Sequence, residues 1–159
     1  MCALKERKGE HPYGDAGQLL LLVVFAIVWI TDSFFWNATT FLSIYVPDFM
    51  RRIVLVVLVI MAILLFLSSR VVIRGERPSG VVTDRAFRYV RHPMYLGAIL
   101  GYLGAAFSSL SLASLALLVP IFIFYNYIAS YEERLLEAKF GEKYKEYERQ
   151  TGKWLPRIT

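Results

Sequence analysis

Read for its apolar positions alone, the chain alternates long hydrophobic runs with short polar connectors. The runs cover about residues 18–36, 52–69, 93–109 and 112–131. Each approaches the ~20 residues that an α-helix needs to cross the hydrocarbon core of a bilayer. The pattern predicts one all-α integral membrane domain with about four transmembrane helices, a loop over residues 70–92 and an amphipathic tail over residues 132–159. In the first run Leu19–Ile30 is uninterrupted, and Asp32 then precedes Phe34, Phe35 and Trp36, which read as an interfacial aromatic belt. Asp32 is either a functional carboxylate inside the membrane or a residue of the outer interface. No small-residue cleavage pattern follows this run, so it reads as a retained span rather than a removed signal peptide. The second run is Val, Leu and Ile nearly all round, as expected of a lipid-exposed helix.

The third and fourth runs form a helical hairpin about the turn Ser108-Ser109-Leu110-Ser111. Gly97, Gly101, Gly104 and Ala105 recur at helical spacing in the third run, which serves either close helix packing or a molecule lying against that face. Pro120 is expected to kink the fourth run. Beyond it, Glu132, Leu136, Phe140 and Tyr144 follow one another at i, i+4 and share one face of a helix that continues into the tail. Glu132 therefore heads an apolar stripe, where a carboxylate needs a cationic or hydroxyl partner. Glu133 lies about a hundred degrees further round the helix. Gly141 is expected to break the helix, Tyr144 and Tyr147 to anchor a second amphipathic piece, and Trp154, Leu155 and Pro156 to close the chain at the interface.

Composition supports the membrane assignment: 57% of residues are hydrophobic and the mean hydropathy is +0.48. The net charge of +5 is concentrated. Arg70, Arg74, Arg77, Arg85, Arg88 and Arg91 crowd the loop between the second and third runs. Such a loop reports a cytoplasmic location and contact with lipid headgroups rather than nucleic-acid binding. Four spans then place both termini, this loop and the tail in the cytoplasm. Within the loop, Pro78-Ser79-Gly80 is a turn, and Thr83 or Asp84 caps a short segment from Arg85 to Val90. A lone cysteine, Cys2, excludes an internal disulfide, and the two histidines show no metal-ligand spacing.

The densest chemistry lies in Val90-Arg91-His92-Pro93-Met94-Tyr95-Leu96-Gly97. The residue before a proline is pushed out of the helical region, and proline suits the first helical turn. A helix therefore starts at Pro93 and turns its positive dipole end toward the basic loop, a setting for an anionic group. Arg91 and His92 either take part in chemistry there or only anchor the helix end. The hairpin returns Glu132 and Glu133 to the same side, so the two polar regions converge. Apolar helices around them would admit a lipid-like molecule.

Arg91-His92-Pro93-x-Tyr95-x-Gly97, followed by Glu132-Glu133, Phe140-Gly141-x-x-Tyr144-x-x-Tyr147 and the closing Leu155-Pro156, resembles the isoprenylcysteine carboxyl methyltransferase family. The wider group includes membrane phospholipid N-methyltransferases. The resemblance covers about residues 75–159. It implies S-adenosylmethionine as methyl donor without a Rossmann domain, held between the Arg-His-Pro region and the glutamate pair and covered by the tail. Carried over by position, Arg91, His92, Pro93, Met94, Tyr95 and Gly97 contact the cofactor, as do Val81 and Val82. Phe87 replaces a usual tyrosine, and Glu132 binds the donor's polar end or ribose. Glu132, Glu133 and Asn126 are the candidate catalytic groups, with a glutamate accepting the proton if the acceptor is an amine. The implied acceptor is the carboxylate of a prenylated cysteine or a similar small lipid-like substrate. The arginine that engages such a carboxylate is replaced by Ile128, with Asn126 and Ser130 the nearest polar side chains. Two rival readings are an NADPH-dependent sterol-type reductase, whose late hairpin is similar, and a non-enzymatic lipid-binding membrane protein.

Overall fold

A computed structural model describes residues 14–69 and 80–157. Five α-helices make up the described chain: α1 (Gly14–Ile30), α2 (Asp48–Ser68), α3 (Pro93–Ser109), α4 (Leu112–Phe140) and α5 (Glu142–Gln150). Helix α1 runs on through a π-helical turn, Thr31–Trp36. Short 3-10 turns at Phe41–Ile44 and Arg85–Arg88 precede α2 and α3. By length and composition three helical stretches can cross a membrane: Gly14–Trp36 with 23 residues, Asp48–Ser68 with 21 and Leu112–Phe140 with 29. Helix α3 is apolar but has only 17 residues, a length of about 25 Å at ~1.5 Å per residue.

Local signals place most boundaries. Pro93 sits in the first turn of α3, with His92 as its cap at φ −122°. The helix ends where Leu110 takes a left-handed conformation, and the Ser111 hydroxyl then accepts the Ser114 amide to start α4. Gly141 has φ +57°, a conformation that costs glycine little, and it separates α4 from α5. Helix α4 continues through Pro120 without interruption. Two expectations shift. Helix α1 begins at Gly14, ahead of the apolar run. The segment after Asp84 is a single 3-10 turn ending at Arg88, with no side-chain cap. Arg70, Arg74, Arg77 and the Pro78-Ser79 half of the predicted turn lie outside the described residues.

Helix α3 is the centre of the bundle. It packs most extensively on α2 and also touches α1 and α4. In a bilayer, lipid is as apolar as the helix surface, so close approach and polar bonds hold helices together rather than the hydrophobic effect. Gly97 and Gly104 provide that approach. A Cβ on Gly97 would lie 3.2 Å from the Ala62 carbonyl oxygen and one on Gly104 3.3 Å from Leu58. Gly101, between them in sequence, has open space beside it. The small-residue stripe therefore splits, with Gly97 and Gly104 against α2 and Gly101 and Ala105 toward a groove beside α1. Phe25, Tyr102, Ala106, Ile121 and Tyr125 form the buried core of α1, α3 and α4. Ala62 is the one buried residue of α2 and most of the others are exposed, as befits a lipid-facing helix.

Candidate functional site

At the end of the bundle where α3 begins, a cavity of about 370 Å³ opens between the 80–92 segment, the first turns of α1 and α3, and the later turns of α4 with α5. Val81, Val82, Phe87, Arg91, His92, Pro93, Met94, Tyr95 and Glu132 line it. The lining also includes Gly14, Asp15 and Gln18 of α1, Ile128, Leu136, Lys139 and Phe140 of α4, and Tyr144 and Tyr147 of α5. The wall from α1 was not foreseen. Gln18 opens the first apolar run and Asp15 falls before it, so nothing local marks them as facing a cavity across the bundle.

The adjacent glutamates divide the work. Glu132 faces the cavity and accepts a hydrogen bond from the Tyr95 hydroxyl at 2.5 Å. Glu133 turns into the scaffold and lies outside the cavity lining. Its Oε1 accepts from Arg91 Nε at 2.9 Å and faces His92 Nε2 at 3.2 Å. Its Oε2 pairs with Lys153 Nζ at 3.2 Å. The guanidinium of Arg91, 8% exposed, spends its remaining donors on the Glu148 and Thr151 carbonyls and the Glu148 carboxylate. Breaking one partner of such a buried pair leaves an uncompensated charge, so this network is a rigid support.

His92 sits between the two carboxylates, with Nε2 toward Glu133 and Nδ1 3.8 Å from Glu132 Oε2. Burial pushes its imidazole below the ordinary value, although Glu133 beside it acts in the opposite sense. The His92–Glu133 contact is thus a hydrogen bond from a neutral ring rather than an ion pair. The Tyr95 ring stacks parallel to it at 5.6 Å between centroids.

The tail ties the segment before α3 to α4. Val90 pairs with Gly152 in an isolated parallel bridge, and the Arg91 amide donates to the Gly152 carbonyl at 2.9 Å. Tyr147 donates to the Phe87 carbonyl at 2.6 Å, and burial raises its hydroxyl to about 12, which keeps it a donor. Lys153 also donates to Ser130, and the Trp154 indole donates to Asn126 Oδ1 at 3.2 Å. Asn126 therefore anchors the tail and lies outside the cavity lining, as does Gly97, which packs against α2. Of the residues expected at the site, Glu133 and Asn126 are thus bonded within the scaffold and Gly97 is packed against α2, while the others line the cavity. Ile128 is buried at 1% exposure within the lining, so the position of the expected arginine is apolar.

A helical membrane bundle with a largely apolar cavity at one end, carrying a few charged groups, is the class of protein this arrangement defines. Residues 49–143 match the phospholipid methyltransferase family, and the chain belongs to that family. It is also 34% identical over 88 residues to the cobalt-zinc-cadmium resistance protein CzcN of Cupriavidus metallidurans, a match covering 55% of this chain and 40% of that protein. The chain therefore spans well under two thirds of that relative. No solved structure matches it.

Proposed function

We propose that the protein is an integral membrane methyltransferase that uses S-adenosylmethionine and acts on a lipophilic acceptor from the cavity at the start of α3. The observation that carries this reading is the cavity itself, about 370 Å³, within the range typical of small-molecule sites. Its lining fits such a donor. The N-terminal turn of α3 suits a carboxylate. Glu132 with Tyr95 suits an ammonium or ribose hydroxyls, and Val81, Val82, Phe87 and Leu136 offer apolar faces to a purine. When bound, the donor supplies an electrophilic methyl group on a sulfonium. The protein's part is to hold donor and acceptor in line and to exclude water, an effect that can contribute several kcal/mol.

The apolar Ile128 at the position of the carboxylate-binding arginine favours an amine acceptor over the carboxylate implied by the carboxyl methyltransferases. Arg91 is committed to Glu133 and Glu148, and Glu132 and Asp15 bring two carboxylates to the lining, where Lys139 is the other cation. A second, apolar groove of about 600 Å³ continues from Gln18 past Leu22, Phe25, Trp29, Gly101 and Tyr125, a course suited to a hydrocarbon chain. Four crossings with the 80–92 segment and tail on the cytoplasmic side complete the proposal, supported by the positive-inside bias of the loop.

Calorimetric titration of the detergent-purified protein with S-adenosylmethionine and its demethylated product tests the donor. Micromolar affinity, lost in Glu132→Gln, is the expected result; binding of neither compound overturns the reading. Retention on immobilised NADPH in its place would select the reductase alternative. Transfer of labelled methyl from the donor to phosphatidylethanolamine vesicles rather than to a prenylcysteine analogue would assign an amine acceptor.

A further inference from the structure

We propose that His92 is the proton acceptor of the site, receiving through Glu132 the proton that an amine acceptor releases on methylation. The inference rests on the methyl-transfer reading with an amine acceptor and adds a role for the buried imidazole that this reading does not need for binding.

The His92 ring meets different partners on its two sides. Successive helical residues point about 100° apart, so Glu132 and Glu133 reach His92 from different sides, one from the cavity and one from the scaffold. Glu133 also receives Arg91 and Lys153, and with two cationic donors on it the group is a carboxylate that only accepts. The ring nitrogen facing it, Nε2, therefore carries the hydrogen. In a neutral imidazole the other nitrogen is then a lone pair. That lone pair, at Nδ1, faces Glu132 Oε2 on the cavity side, 3.8 Å away. A side-chain adjustment of Glu132 by about 1 Å closes this to hydrogen-bond distance. The scaffold thus presents a proton acceptor to the cavity and a donor to the interior, which is the polarity that proton uptake from the cavity requires.

Every titratable or charged group recorded against the ring is accounted for. Arg91 comes from the preceding segment, Tyr95 from α3, Glu132 and Glu133 from α4 and Lys153 from the tail. Burial, and to a smaller extent Lys153 and Arg91, disfavour the charged ring before the reaction, while Glu133 acts in the opposite sense and favours an imidazolium. A protonated primary amine gives one proton to Glu132, which passes it to Nδ1. The freed nitrogen lone pair forms the new C–N bond to the sulfonium methyl, and the C–S bond breaks with its electrons left on sulfur. The products are a methylated ammonium, a neutral thioether and an imidazolium that discharges to water when the site opens.

The first test reads the ring directly. The chain has two histidines, so a His11→Ala background leaves His92 as the sole signal in ¹⁵N-histidine NMR of the detergent-purified protein. A neutral ring protonated at Nε2 at pH 7, losing that tautomer preference in Glu133→Gln, is expected. An Nδ1–H tautomer or an imidazolium at pH 7 overturns the proposal. The second test is His92→Gln, assayed with S-adenosylmethionine and phosphatidylethanolamine vesicles. Turnover at saturating donor at least tenfold lower at pH 7, with partial rescue by added imidazole, is expected. Unchanged turnover overturns the role, and lost donor binding replaces it with a binding role. A wild-type protein that neither binds the donor nor methylates the vesicles fails the methyl-transfer reading instead, while the tautomer measurement still reports on the ring.

Discussion

The two ends of the α3–α4 hairpin each hold a buried carboxylate cluster, and the two are built to opposite plans. At the turn, Asp32 is 5% exposed and every recorded bond to it comes from within the fold. Its Oδ1 accepts the Thr39 amide at 3.0 Å, and its Oδ2 accepts the Thr39 and Ser111 hydroxyls at 2.5 Å each. Thr39 in turn bonds the first amides of α4, Ser33 donates to Ser109, and Arg51 of α2 donates to the Ser108 carbonyl. No cavity described here is lined by Asp32. At the other end, Glu133 is equally committed, to Arg91, His92 and Lys153, but its neighbour Glu132 opens onto the cavity with Tyr95. The lesson is that buried charge alone does not mark a site. A closed cluster ties helices together where apolar burial gives little drive, whereas the site is a closed cluster with one further carboxylate left facing a space.

That contrast can be broken in order of effect. The largest change is expected from Arg91→Met, which strips a buried guanidinium from Glu133, Glu148 and two carbonyls; loss of a buried pair typically costs about 3–5 kcal/mol. Thermal unfolding in detergent should show a large drop in Tm, with faster hydrogen exchange in α5 than at the Ser111 turn. Asp32→Ala comes next, at about 2–4 kcal/mol, because three donors lose their acceptor. Its donor affinity should stay within threefold of wild type; a large loss of affinity would show that the far cluster is coupled to the cavity. Glu132→Gln should do the reverse, lowering donor affinity at least tenfold, about 1.4 kcal/mol, with Tm nearly unchanged. An equal loss of stability would reduce Glu132 to another support.

The smallest effect is a pH dependence confined to one end. His92 titrates in the folded protein below its ordinary value near 6.5. Over that interval the unfolded chain binds the proton first, so the stability from the buried neutral ring is full above about pH 6.5 and declines as pH falls toward the folded value. Tm measured from pH 7.5 to 5.5 should fall in wild type and flatten in His92→Gln. A similar slope in both would remove His92 from the account.

Much of this was legible along the chain because it depends on near neighbours. The apolar runs, the start of α3 at Pro93, the turn at Leu110 and the break at Gly141 follow from hydrophobic length and backbone preference. The convergence of His92 and Tyr95 with Glu132 follows from the hairpin. The α1 wall of the cavity did not, since Asp15 and Gln18 meet the site only across the bundle. Nor did the strap made by Lys153 and Trp154, whose partners Glu133, Ser130 and Asn126 are more than a turn apart from them in every local sense.

The sequence by itself determined which segments are helical, where they stop and which polar groups return to one end of the hairpin, because hydrophobic period, proline and glycine act over a few residues. Only the tertiary structure decided that Glu132 and not Glu133 meets the cavity and that Gly97 packs while Gly101 does not. Asp32 likewise became a clasp rather than a site only once its partners were in place. Those outcomes turn on about 100° of rotation around a helix axis and on which neighbour fills the space, and neither quantity is written in a single helix.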